Sequence, residues 1–368
     1  MRITYVSTRS DAIGGSNVHI RDVALAMAER GHDVLVLGGG EGVWAEDVRR
    51  RGLTYRPLRH MQRAVRPHRD AAALLELRAA LRAFEPELVS LHTAKAGFVG
   101  RLAARGLAAP VVYTPHGWAF TTGVPPGAAA RYAWLERLVA PLAARIVNVC
   151  VYERDIALAN RIGQPERHAV VHNGMPDVAS TLRARPERQP ARVAMVARFE
   201  EPKEHELVLH ALAGCREAPW QLVFVGSGPL EAAAQQVCRD LGLGERVEFL
   251  GTRGDVAEIL ADAQLFVLAT RWEGFPRSIL EAMRAGLPVV ASAVGGVHEA
   301  VAEGVSGLMV PPRDADALGG ALRALLCDPA RRAAMGQAGR ARYETEFTFD
   351  TMLERTLVVY SDLAQRAS

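Results

Sequence analysis

Two patterns of apolar residues alternate along the chain. Short contiguous runs of β-branched and aliphatic residues occupy positions 3–7, 34–37, 193–197 and 222–225. Such runs suit strands buried on both faces. Between them lie stretches with an apolar residue at every third or fourth position, closed by glycine, as in an amphipathic helix with its C-terminal stop. One order occurs twice. A strand at 3–7 leads through Gly14-Gly15-Ser16 into a helix at 17–30 ended by Gly31, then a strand at 34–37. A strand at 193–197 leads through Glu201-Pro202 into a helix at 203–213 ended by Gly214, then a strand at 222–225. Strands alternating with helices predict parallel sheets with right-handed crossovers.

The expected fold class is therefore α/β, with two Rossmann-like domains facing each other across a cleft. The first spans residues 1–186 and the second 187–349, and a last helix within 350–368 crosses back to the first. Residues 177–191, rich in Arg and Pro and preceded by the turn-like His172-Asn173-Gly174, are the expected linker. A length of 368 residues fits two cores, and 49% hydrophobic with 23% charged residues fits ordinary globular domains. A net charge of +3 gives no reason to expect a nucleic-acid partner.

Charge is unevenly spread. From Arg49 to Arg69 there are eight arginines and no Asp or Glu. This basic run, with Arg59, Arg63 and Arg66 at its centre, is expected to meet an anionic membrane face or a lipid diphosphate. The other possibility is a solvated, arginine-rich loop. The four cysteines are widely spaced and lack metal-site spacing, which suits buried thiols in a reducing compartment. Neither a signal-peptide core nor eighteen consecutive apolar residues occurs, so a cytoplasmic location is expected.

The richest chemistry lies in residues 271–283. Pro276 suits a first helical turn, Gly286 a helix stop and Pro288 a strand start. Glu273 then precedes the helix and Glu281 sits about a turn and a half inside it. A loop acid beside helix N–H groups can read sugar hydroxyls, the helix N-terminus attracts a diphosphate, and a second acid can accept both ribose hydroxyls. Taken alone, the pair reads as two ordinary surface acids. Arg198 and Lys203, at a strand end and a helix start, are cations of the kind that stabilise a departing diphosphate. Gly14 and Gly15 let a helix N-terminus approach an anion, with Ser16 as the expected cap. Gly226 and Gly228 form either a tight turn or a nucleotide contact; the third glycine of a dinucleotide fingerprint is absent.

Glu273, seven residues and Glu281, with Gly274-Phe275-Pro276, Gly286-Leu287-Pro288 and Gly295-Gly296-Val297-His298-Glu299, resemble the paired-glutamate motif of the retaining GT-B glycosyltransferases of family 4. The likeness extends over nearly the whole chain. Residues 92–97 are similar to a branch that builds surface polysaccharides or lipid-linked oligosaccharides. The resemblance implies that Glu273 contacts the donor sugar, Glu281 holds the ribose, and the amides of Gly274, Phe275 and Ile279 lie along the sugar and phosphates. It further implies that Arg198 and Lys203 stabilise the leaving diphosphate, that Gly14-Gly15 covers the donor phosphates, and that His116 lies against the donor sugar. Lys95 meets an anionic acceptor or is a solvated helix-start residue. Glu204 and Met175 depart from the commoner residues of the family, at positions without a chemical role.

The resemblance thus implies transfer of a hexose or N-acetylhexosamine from a nucleotide diphosphate sugar, with UDP the expected nucleotide. The acceptor is a saccharide or lipid-linked. No metal or other cofactor is expected; Asp314-Ala315-Asp316 has the spelling of a metal motif but sits at a helix start. A nucleotide-sugar epimerase and a non-catalytic sugar-nucleotide-binding subunit are the alternatives.

Overall fold

The computed structural model describes residues 1–121 and 123–367. The chain divides into two compact units, Met1–His172 with Leu353–Ser368, and Asn173–Met352. In the first, β1 (Arg2–Ser7), β2 (Asp33–Gly39), β3 (Thr54–Leu58), β4 (Leu88–His92), β5 (Val111–Thr114), β6 (Arg145–Asn148) and β7 (His168–Val170) form one sheet, in the order β3-β2-β1-β4-β5-β6-β7. All neighbours run parallel, with Ile3 opposite Val34 on one side and Leu88 on the other. Ile3, Tyr5 and Val6 are fully buried, as a strand covered on both faces requires.

The second unit repeats the wiring. Its strands β8 (Ala191–Val196), β9 (Trp220–Val225), β10 (Val247–Phe249), β11 (Leu265–Leu268), β12 (Val289–Ser292) and β13 (Gly307–Val310) follow the parallel order β10-β9-β8-β11-β12-β13. In each sheet the strand order reverses beside the first strand, between β1 and β4 and between β8 and β11. Open parallel sheets bind ligands outside the carboxyl ends of strands at such a switch point.

The helix after β1 spans Gly15–Glu29 and buries Ile20, Val23, Ala24 and Met27 on one face. Gly14 is its N-cap, and no side chain caps it. Ser16 therefore lies inside the first turn instead of capping it. The helix Phe349–Ala367 belongs to the first unit from Leu353 onward.

Residues 177–191 are not a free linker. Arg340 holds Asp177 through both carboxylate oxygens at 2.6 and 2.5 Å, and Ala184 N–H donates to Ala285 O at 2.8 Å. The buried Arg332 binds the carbonyls of Pro186 (2.7 Å) and Arg188 (3.0 Å). These bonds tie the segment to the second unit and move the division to 172/173, earlier than the expected 186/187. Arginine and proline read as solvated linker composition, but here arginines of the helix Pro329–Glu346 consume the segment's backbone and side-chain acceptors. Cys150, Cys215 and Cys238 are buried free thiols, whereas Cys327 is exposed, contrary to expectation. No helix among the described residues is long and apolar enough to cross a membrane.

Candidate functional site

In the second unit the expected chemistry gathers at the switch point. Arg198 follows β8 and Glu273 follows β11, and Lys203 bridges the two loops. Its backbone pairs with Thr270, and its ammonium forms an ion pair with Glu273. Both side chains are largely enclosed, at 18% and 12% exposure. Residues seventy apart in sequence are thus partners. Arg198 is exposed, its guanidinium 3.0 Å from Glu200.

Glu281 is the fifth residue of the helix Arg277–Ala285, for which Pro276 is the N-cap and Gly286 (φ +84°) the left-handed stop. No hydrogen bond or ion pair reaches the Glu281 carboxylate among the described residues. Burial pushes its pKa up, and the nearby Arg277 and Arg284 pull it partly back. In its ionised form a carboxylate that no protein donor reaches keeps its acceptor sites for hydroxyl donors. Phe275 and Ile279 are buried, so their side chains serve packing. The loop carrying Glu273 is fixed by Gly296 N–H donating to Gly274 O (2.9 Å) and Asn173 Nδ2 donating to Phe275 O (3.0 Å).

Gly226 and Gly228 have a packing reason. Gly226 has φ +140°, and a Cβ there would lie 2.1 Å from Ala197 O; one on Gly228 would lie 2.4 Å from Phe199 O. The turn after β9 presses against the backbone on both sides of Arg198 and is bonded to it, Phe199 N–H to Ser227 O (3.3 Å) and Leu230 N–H to Phe199 O (2.9 Å). These glycines hold the Arg198 loop in place. Asp314 accepts from Ala317 N–H at 2.8 Å as the cap of the helix Ala315–Leu326, which accounts for it without a metal role.

In the first unit His116 follows β5 with φ +54°, a left-handed conformation that costs roughly 1–2 kcal/mol outside glycine. Its Nε2 lies 2.9 Å from Nδ1 of His92, the last residue of β4. His19 packs edge-on against His116, with ring centroids 4.8 Å apart. Among the described residues these three imidazoles are the group that could hold a metal ion, their ligand atoms lying within 4.8 Å of one another. The 2.9 Å contact between His92 Nδ1 and His116 Nε2 is a hydrogen bond when one of the two carries a proton, and in that state the pair is closed to an ion.

Gly14 contrasts with Gly226. Its φ of −118° suits any residue, and a Cβ there would meet only Asn17 Oδ1 at 4.0 Å, so neither strain nor packing calls for glycine. Gly15 begins the helix beside it. A hollow of about 700 Å3 in this unit, lined by Val111, Arg145 and Glu166 among others, opens at the amino ends of β5 and β6, the wrong end for a switch-point site.

Lys95 is neither solvated nor unpaired. Its ammonium sits 2.7 Å from Asp70 and binds the Ala64 carbonyl, pinning the arginine-rich loop. Within that run Arg49 pairs with Glu41 and Arg51 with Asp47, acids that flank or precede it. Arg59, Arg63 and Arg66 are exposed, and their guanidinium groups form no ion pair among the described residues.

Family models match both halves: a glycosyl transferase 4-like domain over residues 14–174 and the glycosyl transferases group 1 over residues 182–342. D-inositol 3-phosphate glycosyltransferase 1 of Catenulispora acidiphila is 32% identical over 303 residues, which cover 74% of this chain and 72% of that protein. The chain belongs to this glycosyltransferase family. The Escherichia coli UDP-Gal:alpha-D-GlcNAc-diphosphoundecaprenol alpha-1,3-galactosyltransferase is 27% identical over 281 residues, 69% of this chain and 70% of that one. Anabaena Alr3699/HepE, crystallised with UDP and glucose, superposes with a TM-score of 0.85 at 22% identity, covering 98% of this chain and 100% of that one. The fold is GT-B.

For a glycosyltransferase of this fold the sequence reading leaves several groups without a role. His19, His92, Ser90 and Tyr360 all lie in or next to the histidine cluster. His92 ends a strand that aligns with β1, and that position alone marks it as a switch-point residue. Tyr360 carries no local signal, because its partner is 270 residues away.

Proposed function

We propose that this glycosyltransferase moves a hexosyl or N-acetylhexosaminyl group from a UDP-sugar to a saccharide or lipid-linked acceptor, with retention of anomeric configuration. The observation that carries the reading is the Lys203–Glu273 pair at the β8/β11 switch point, with the Glu281 carboxylate on the following helix taking no hydrogen bond or ion pair among the described residues. The bond from the anomeric carbon to the β-phosphate oxygen breaks, the acceptor oxygen bonds the anomeric carbon on the same face, and the acceptor proton passes to the departing phosphate. Arg198 and Lys203 offset the charge gained by the diphosphate, as preorganised cations do without reorganisation. Glu273 positions the sugar, Glu281 accepts the ribose hydroxyls, and His116 contacts the sugar beside the attacked carbon. Names of relatives support the donor class: one uses UDP-Gal, and another was crystallised with UDP and glucose.

A panel of sugar nucleotides tests this. A UDP-sugar should raise the melting temperature and be slowly hydrolysed to UDP without acceptor, since a ligand stabilises by RT ln(1 + [L]/Kd). Turnover should persist in excess EDTA. Conversion to an epimeric UDP-sugar, or loss in EDTA restored by manganese, would each refute the corresponding part.

The basic loop supports a second element of the reading, contact with an anionic membrane face. Each Arg near such a surface contributes about 1 kcal/mol, within a screening length of about 8 Å. The protein should pellet with anionic vesicles at low salt and release at about 0.5 M. Arg59→Ser, Arg63→Ser and Arg66→Ser together should abolish pelleting; if they do not, the loop has no such role.

A further inference from the structure

A continuous line of buried polar groups runs behind His116. Tyr360, on the C-terminal helix and 2% exposed, donates its hydroxyl to Ser90 Oγ at 3.0 Å. Ser90 Oγ lies 2.9 Å from His92 Nε2, and His92 Nδ1 lies 2.9 Å from His116 Nε2. Ser90 is fully buried and His92 is 2% exposed. The Tyr5 ring stacks on His92 at 6.0 Å and His19 packs against it at 5.7 Å, so its ring plane is held from two sides.

We propose that Tyr360, Ser90 and His92 form a relay that fixes which nitrogen of His116 carries the proton and how its ring is turned, making Tyr360 a positioning residue for glycosyl transfer. The inference rests on the reading of His116 as a donor-sugar contact. A serine hydroxyl has one proton to give. In the relay Ser90 accepts from Tyr360 and turns its own proton to His92 Nε2. His92 must then carry its proton on Nδ1 and donate it to His116 Nε2. Neutral His116 is thereby left with its N–H on Nδ1. Burial keeps the Tyr360 phenol protonated by raising its pKa, and burial together with the neighbouring His116 holds the His92 pKa well below its usual value, so the direction of the chain does not invert near neutral pH. Hydrogen-bond chains of one direction reinforce each other, and second partners of a working histidine set its tautomer.

Nitrogen-15 NMR of histidine-labelled protein reads the tautomers directly, and eleven histidines can be assigned by single substitutions. His92 and His116 should both show the Nδ1–H pattern. Tyr360→Phe, which keeps the ring, and Ser90→Ala should mix in the Nε2–H form of His116. Hydrolytic turnover of the UDP-sugar should fall about tenfold in kcat, which corresponds to roughly 1.4 kcal/mol, with KM within about twofold. Ser90→Thr should restore both. In a His116→Ala background Tyr360→Phe should add less than twofold, because the path it acts through is gone. Tautomers indifferent to Tyr360→Phe, or a full tenfold loss in the His116→Ala background, overturn the relay. Wild-type turnover in His116→Ala overturns instead the role of His116.

Discussion

Glu273→Gln should reduce turnover by about a hundredfold to a thousandfold, the 2.7–4 kcal/mol that a well-placed charge-stabilising contact supplies in a transition state. Glu281→Ala should fall in the same range and melt close to wild type, since its side chain fills no core. An ion pair complicates the first result, because Glu273 also neutralises Lys203 and its loss leaves a mostly enclosed ammonium without its partner. Exchanging the two, Lys203→Glu with Glu273→Lys, separates the explanations. A structural pair works in either orientation, so the exchange would recover activity. A carboxylate that must face a sugar and an ammonium that must face a diphosphate do not. The exchanged protein should therefore fold and remain inactive, and recovered turnover would remove Glu273 and Lys203 from the chemistry.

The largest stability effect is expected at Arg332. Its guanidinium is fully buried and donates to four carbonyls, those of Pro186 (2.7 Å), Leu325 (2.6 Å), Leu326 (3.0 Å) and Arg188 (3.0 Å). Leu325 and Leu326 end the helix Ala315–Leu326, where the carbonyls lack helical partners and the dipole favours a cation. Arg332→Leu fills similar space but orphans four acceptors, each worth about 1–3 kcal/mol when buried and unpaired. The effects overlap, so a total of about 3–5 kcal/mol is expected. At about 2–4 °C per kcal/mol for a unit of this size, the melting point should drop by roughly 10 °C. The exposed neighbour Arg331→Leu is the control and should change stability by less than about 0.5 kcal/mol. Equal melting of the two variants would mean that the 173–190 segment is not held by this residue.

The alternation of strands and helices was legible because a parallel strand buried on both faces leaves a compact apolar run, and residues 3–7 and 193–197 are two such runs. The placing of Arg198 and Lys203 at one strand-to-helix passage, and of Glu273 and Glu281 at another, was legible because each signal is local. The fate of residues 177–191 was not. Their composition is that of a solvated segment, and only tertiary hydrogen bonds from Arg332 and Arg340, more than 140 residues away, fasten it to the second unit. Lys95 escaped for the same reason: its Asp70 partner lies on a different helix. Gly226 looked like half of a nucleotide fingerprint, whereas its missing side chain makes room for the Arg198 loop. Gly14 offers the opposite lesson, since the space in front of it stays open.

The return of the C-terminal helix into the first unit also bears on how the molecule is made. Tyr360 meets Ser90 across 270 positions, and the first unit is complete only once Leu353–Ser368 is present. The second unit is contiguous, Asn173–Met352, and has everything it needs as soon as it emerges. During synthesis the amino-terminal sheet must therefore wait for about 180 further residues, roughly 9 to 36 seconds at ribosomal rates of about 5–20 residues per second. Through that interval its strands lack their last covering helix. The half synthesised second is the half that can finish first, and a nascent chain stalled before its final turns would carry a complete second unit beside an unfinished first one.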